Sequence, residues 1–131
     1  MKHLFIVFFI LLSTVGFSCR QTAAQQQVKL LTAKQTYTLI QNDSVQIIDV
    51  RTPKEFKEGH IKNAKNIDFL SASFPDDIAV LDKQKPILIY CRSGNRSGKS
   101  IEIFLKAGYT HLYHLDGGML KWNAEGFKEE L

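Results

Sequence analysis

Two short apolar runs constrain this chain more than any other feature. Residues 45–50 (VQIIDV) and 87–90 (ILIY) show no clear polar–apolar alternation and are too short for ordinary helices. Strands of this pattern must be covered on both faces, as in a parallel sheet with helices on either side. Helix-start signals follow each of them. After the first run, Thr52 supplies an N-cap, Pro53 occupies the first helical position and Glu55 the third, and Gly59 ends the helix. After the second, a polar loop over 91–97 opens onto a predicted helix over 98–107. Its residues Ile101, Phe104 and Leu105 share one face, and Gly108 lies past its end.

The remaining segments complete the alternation. Residues 28–31 read as a strand, and the capping-box pattern Thr32-x-x-Gln35 starts a helix over 33–41. Asn42-Asp43-Ser44 is a turn, 65–68 a short strand and 76–81 one or two helical turns. Residues 109–115 form the last strand, Gly117-Gly118 a turn, and 119–125 a final helix anchored by Trp122. Strands alternating with helices predict an α/β domain with a mostly parallel five-stranded sheet flanked by helices. At 131 residues, one such domain fills the chain.

The first residues follow another pattern. Lys2 and His3 precede residues 4–17, which carry no charge. That run falls short of the ~20 residues a spanning helix needs and has the polarity order of a secretory signal. Gly16-Phe17-Ser18-Cys19 resembles a bacterial lipobox, which implies a diacylglyceryl group on Cys19. The division expected is a lipoprotein-like signal over 1–19, a polar tether over 20–27 and the folded domain over 28–131. The domain would then be exported and lipid-anchored, facing the periplasm or cell exterior. The rival is cleavage after Thr22-Ala23-Ala24, giving a soluble periplasmic or secreted protein. Either route separates Cys19 from the fold, which argues against a Cys19–Cys91 disulfide and leaves Cys91 as the lone thiol.

The chemistry points to residues 91–98, CRSGNRSG. A glycine-rich polar loop at the carboxyl end of a buried strand can turn successive backbone N–H groups inward as an anion nest. The helix behind it adds the positive end of its dipole. A cysteine there should be largely thiolate near neutral pH, and Arg92 and Arg96 add two permanent charges. The arrangement favours thiolate chemistry on an anionic substrate. Elsewhere charge says little: setting aside Lys2 and Arg20, basic side chains outnumber acidic ones by two, too few and too scattered for nucleic acid.

CRSGNRS resembles the active loop of rhodanese-domain sulfurtransferases, C-x-x-G-x-R-S. Two more segments extend the resemblance. Asp49-Val50-Arg51, Glu55-Phe56, Gly59-His60-Ile61, Ala64 and Asn66-Ile67 match D-V-R…E-(Y/F)…G-H-I-x-x-A-x-N-I. Leu115-Asp116-Gly117-Gly118 and Trp122 match L-x-G-G…W. The resemblance implies a rhodanese-like fold and a sulfurtransferase in which Cys91 carries sulfur as a persulfide, taken from thiosulfate or a persulfide donor and passed to a thiol acceptor. Related cell-cycle phosphatases have five residues between cysteine and arginine; this chain has four.

The expected site therefore has Cys91 as nucleophile, Arg92, Ser93, Gly94, Asn95, Arg96 and Ser97 around the substrate, and Asp49 and Arg51 in support. Asp49 is weighed as a structural hydrogen-bonding group and as a catalytic one. Arg51 and Glu55 are read as a structural pair near the pocket rim, and His60 as a packed or capping side chain. His111 and His114, three apart on a strand, face opposite sides and argue against a shared metal site. No cofactor or metal is expected. The partners expected are a small sulfur-donor anion and a thiol acceptor, with no nucleic acid, membrane contact only through the lipid anchor, and a monomeric state. The competing reading is a non-enzymatic, membrane-tethered module that binds persulfide or delivers it to a partner protein.

Overall fold

The computed structural model describes residues 27–42 and 44–131; the expected signal segment with Cys19, most of the expected tether and Asp43 lie outside the described residues. In chain order the elements are β1 (Gln27–Leu31), α1 (Ala33–Leu39), β2 (Gln46–Asp49), α2 (Pro53–Lys57), β3 (Lys65–Asn66), α3 (Phe74–Ala79), β4 (Ile87–Tyr90), α4 (Asn95–Lys106), β5 (His111–Leu115) and α5 (Gly118–Ala124). The sheet order is β1-β5-β4-β2-β3, with every strand pair parallel. This is the α/β architecture expected.

β4 lies between β2 and β5, and its four residues are all buried. Alternation sends Ile87 and Ile89 to one face and Leu88 and Tyr90 to the other. The first face packs on α3 and α4 through Phe74, Ile78 and Phe104. The second packs on α1 and α5 through Ala33, Met119 and Trp122. Two separate cores therefore sandwich the sheet, which is why its central strands read as continuous apolar runs.

The helix starts form as their sequences dictate. Thr32 and Thr52 each make a full capping box, with Gln35 and Glu55 respectively. In α4 the deepest residues are Ser97, Ser100 and Phe104, while Ile101 and Leu105 pack partly buried beside them. Small serines at the N-terminal end bring the first turn of α4 close to the sheet.

The chain leaves β2 toward β3 and β4 toward β5, in opposite directions across the sheet. The carboxyl ends of β2 and β4 thus flank the switch point where open α/β sheets bind ligands.

Candidate active site

Cys91 follows β4 directly and is only 1% exposed. The helix behind it begins at Asn95, three residues before the predicted start at Gly98, so Arg96 and Ser97 belong to its first turn rather than to a loop. Gly94 makes this possible. It sits at the N-cap position with φ 95°, a left-handed conformation natural to glycine, and it offers no capping side chain. The unpartnered N–H groups at this helix end need an acceptor, and the cysteine sulfur serves. Gly94 N–H donates to Cys91 Sγ at 3.1 Å.

The carbonyl side of the same loop is tied down from behind. Met119 N–H donates to the Cys91 carbonyl at 2.9 Å and Leu120 N–H to the Arg92 carbonyl at 3.0 Å. With those carbonyls held by α5, the loop's N–H groups are free to face the sulfur. The contact leaves no room for a side chain at Gly118: a Cβ there would stand 2.2 Å from the Cys91 carbonyl oxygen. This is the physical reason for glycine at position 118.

Ser97 completes the cradle. Its hydroxyl donates to Cys91 Sγ at 3.3 Å and lies 2.8 Å from His114 Nε2. Burial pushes the Cys91 thiol pKa up. Hydrogen bonds from the Ser97 hydroxyl and from the backbone of Ser97, Ser93 and Gly94 outweigh it, so the pKa falls below its ordinary value. The result is a shielded sulfur ringed by donors that favour its thiolate form.

The two arginines of the loop differ. Arg92 is exposed, as are Ser93 and Asn95. Arg96 is engaged: its Nη1 and Nη2 donate to Glu55 Oε2 and Oε1, both at 2.7 Å. Glu55 also accepts from Thr52 N–H at 3.0 Å as part of its capping box. The Arg96 guanidinium, with further help from Thr52, lowers the Glu55 pKa to about 2 despite partial burial. The expected Arg51–Glu55 pair does not form, because Arg51 turns the other way. Its Nη2 meets Asp49 Oδ2 at 2.7 Å and the Gly59 carbonyl at 2.6 Å. Asp49 is fully buried, and its backbone carbonyl accepts from Asn66 Nδ2 at 3.0 Å. Asp49 and Arg51 thus brace β2 and the end of α2, with no hydrogen bond to the cysteine sulfur.

His60 stacks on Phe56 with ring centroids 3.8 Å apart, its Nδ1 3.0 Å from the Phe56 carbonyl oxygen. His111 is exposed beside Thr110. His114, which the sequence reading weighed only as a metal ligand, lies at the site. Strand parity carried the missing signal: His114 shares a face with Leu112, and that face is the one covered by α4.

Two hollows in the surface lie apart from this chemistry. One, of about 460 Å³, is lined by residues that include Pro53, Asn66, Asp76 and Val80, and the other, of about 570 Å³, by residues that include Tyr37, Lys62, Trp122 and Phe127. Neither is lined by Cys91.

Residues 32–125 match the model of the rhodanese-like domain. The chain is 33% identical over 85 residues to the thiosulfate sulfurtransferase GlpE of Pseudomonas aeruginosa, covering 65% of this chain and 76% of the relative. The fold matches the crystal structure of a rhodanese-like domain protein from Staphylococcus aureus, with a TM-score of 0.65 and 35% identity over 79% of this chain and 97% of that one. A rhodanese-related protein from Thermoplasma volcanium matches with a TM-score of 0.70 and 27% identity, over 79% of this chain and 98% of the other. With the family model spanning most of the chain, and the loop after β4 folded as a donor ring around Cys91, this protein belongs to the rhodanese-like family.

Proposed function

We propose that the domain is a sulfurtransferase that moves a sulfane sulfur from thiosulfate or a persulfide donor to a thiol acceptor through a Cys91 persulfide. The observation that carries this reading is the sulfur of Cys91 seated among N–H and O–H donors with its pKa lowered. The thiolate attacks the outer sulfur of thiosulfate, forming a new S–S bond as the old one breaks. Sulfite leaves with the electron pair, and the negative charge of the thiolate passes to the persulfide. An acceptor thiolate then attacks the outer sulfur, and Cys91 departs as thiolate into the same ring of donors. The slight exposure of Cys91 favours a small donor, and the exposed Arg92 stands near to attract an anion.

Incubation with thiosulfate is expected to raise the intact mass by one sulfur atom, and Cys91→Ser to prevent it. Loading that survives in the serine variant would sink the mechanism. Turnover with a small thiol is the further outcome expected of an enzyme; loading without turnover would instead fit a module that delivers persulfide to a partner protein.

We also propose export with acylation at Cys19, supported by the charge-free run over 4–17 and the lipobox-like residues after it. The wild-type chain should take up a fatty-acid analogue and the Cys19→Ala chain should not. An unlabelled protein beginning at Gln25 would instead establish cleavage after Ala24.

A further inference from the structure

We propose that His114 is a positioning residue for the site, acting through Ser97 to hold the serine hydroxyl on the cysteine sulfur. The inference deepens the sulfurtransferase reading and rests on it for the nucleophilic use of Cys91. Its own content is the geometry of three side chains on three elements: Cys91 after β4, Ser97 on α4 and His114 on β5.

Ser97 has one hydroxyl proton and two polar neighbours, Cys91 Sγ at 3.3 Å and His114 Nε2 at 2.8 Å. If the proton goes to the histidine, the sulfur loses its hydroxyl donor. If it goes to the sulfur, the histidine must present Nε2–H to the serine oxygen. Serine in a helix also has a local competitor, because its hydroxyl can bond back to a carbonyl three or four residues earlier. For Ser97 those carbonyls belong to Ser93 and Gly94, and the Gly94 carbonyl already accepts from Gly98 N–H at 3.0 Å. An Nε2–H donated by His114 fills a lone pair of the serine oxygen and leaves the hydroxyl proton directed at Cys91. A donor that itself accepts a hydrogen bond is also polarised by it, which strengthens its bond to a thiolate.

The surroundings hold the imidazole in this role. His114 is half-buried, and its Nε2–Cε1 edge faces the first turn of α4. A Cβ placed on Gly94 would lie 3.8 Å from Nε2, and one on Gly98 3.6 Å from Cε1. Both distances are those of ordinary van der Waals contact, so the ring edge lies directly against the backbone of the cradle. Burial lowers the His114 pKa, opposed by the charge of Asp116 and by a hydrogen bond to the Gly94 backbone. With its proton on Nε2, the ring can donate to the serine oxygen at 2.8 Å.

The test uses the free thiol, with no sulfur donor present, so it can fail independently of sulfur transfer. Alkylation of the full chain by iodoacetamide across pH gives the apparent pKa of Cys91, with the Cys19→Ala background removing the other thiol. His114→Phe keeps a ring without a donor and should raise that pKa by roughly half to one unit, the scale of one hydrogen bond. His114→Gln, whose amide can reach the place of Nε2, should restore most of the wild-type value. In a Ser97→Ala background, His114→Phe should add no further shift, because the serine is the only route. An unchanged profile in His114→Phe overturns the proposal, as does a shift that persists in full without Ser97. If His114→Phe fails to fold, His114→Ala takes its place in the same cycle with the same deciding outcomes.

Discussion

Two arginine–carboxylate pairs flank the switch point of the sheet, and they differ in what they join. Asp49–Arg51 is made by residues two apart, with side chains 0% and 8% exposed. Its guanidinium and the Asp49 backbone carbonyl reach Gly59 and Asn66, so it closes the end of β2 onto the segment after it. Glu55–Arg96 joins residues 41 apart in sequence, and its side chains remain 25% and 22% exposed. It ties the first turn of α2 to the first turn of α4, the turn that cradles the sulfur. The buried pair serves the fold and the rim pair serves the loop. Burial makes the first costly to break, and partial hydration makes the second cheap to break in stability while it still ties α4 to α2.

The largest expected effect comes from halving the buried pair. Asp49→Asn leaves Arg51 buried with no counter-charge, and the expected loss is about 3–5 kcal/mol of unfolding free energy. Urea denaturation checks it. Replacing both partners, Asp49→Asn with Arg51→Met, should recover part of that loss, since no buried charge is left unpaired. A stable Asp49→Asn protein with an abolished Cys91 reaction would break the comparison and make Asp49 a member of the reacting site.

Much of this arrangement is legible in the sequence, and the exceptions have different causes. The helix starts at Thr32 and Thr52 and the buried strand 87–90 were readable because each depends on neighbours within a few residues. Cys91 was readable because a strand, a glycine-rich loop and a helix in that order define an anion cradle. The Arg51–Glu55 pair does not form because two carboxylates lie within four residues of Arg51, and Glu55 is taken across the switch point by Arg96. The start of α4 was placed too late because Gly94 looked like loop, although a left-handed glycine is also a way to enter a helix when a sulfur replaces the cap. Strand parity puts His114 on the face that α4 covers, but its contact with Ser97 forms only once helix and strand are packed together.

The smallest expected effect separates the rim pair from the buried one by pH. Glu55→Gln is the suitable change because glutamine also serves at the third position of a capping box, so the charge is removed while the helix start is kept. At about 2, the Glu55 pKa in the folded chain stands below its ordinary 4.5. As pH falls the unfolded chain takes up the proton first. The stabilisation from Glu55 is therefore present in full above about 4.5 and is lost as pH falls toward 2. For side chains this exposed, solvent screening limits it to about 1 kcal/mol. Urea denaturation of wild type and Glu55→Gln should show a constant difference from neutral pH down to about 4.5 that is already shrinking at about pH 3. A gap that stays flat into that range would mean the carboxylate pKa is not lowered by Arg96, and a gap as large as that for Asp49→Asn would mean that the rim pair, too, holds the fold.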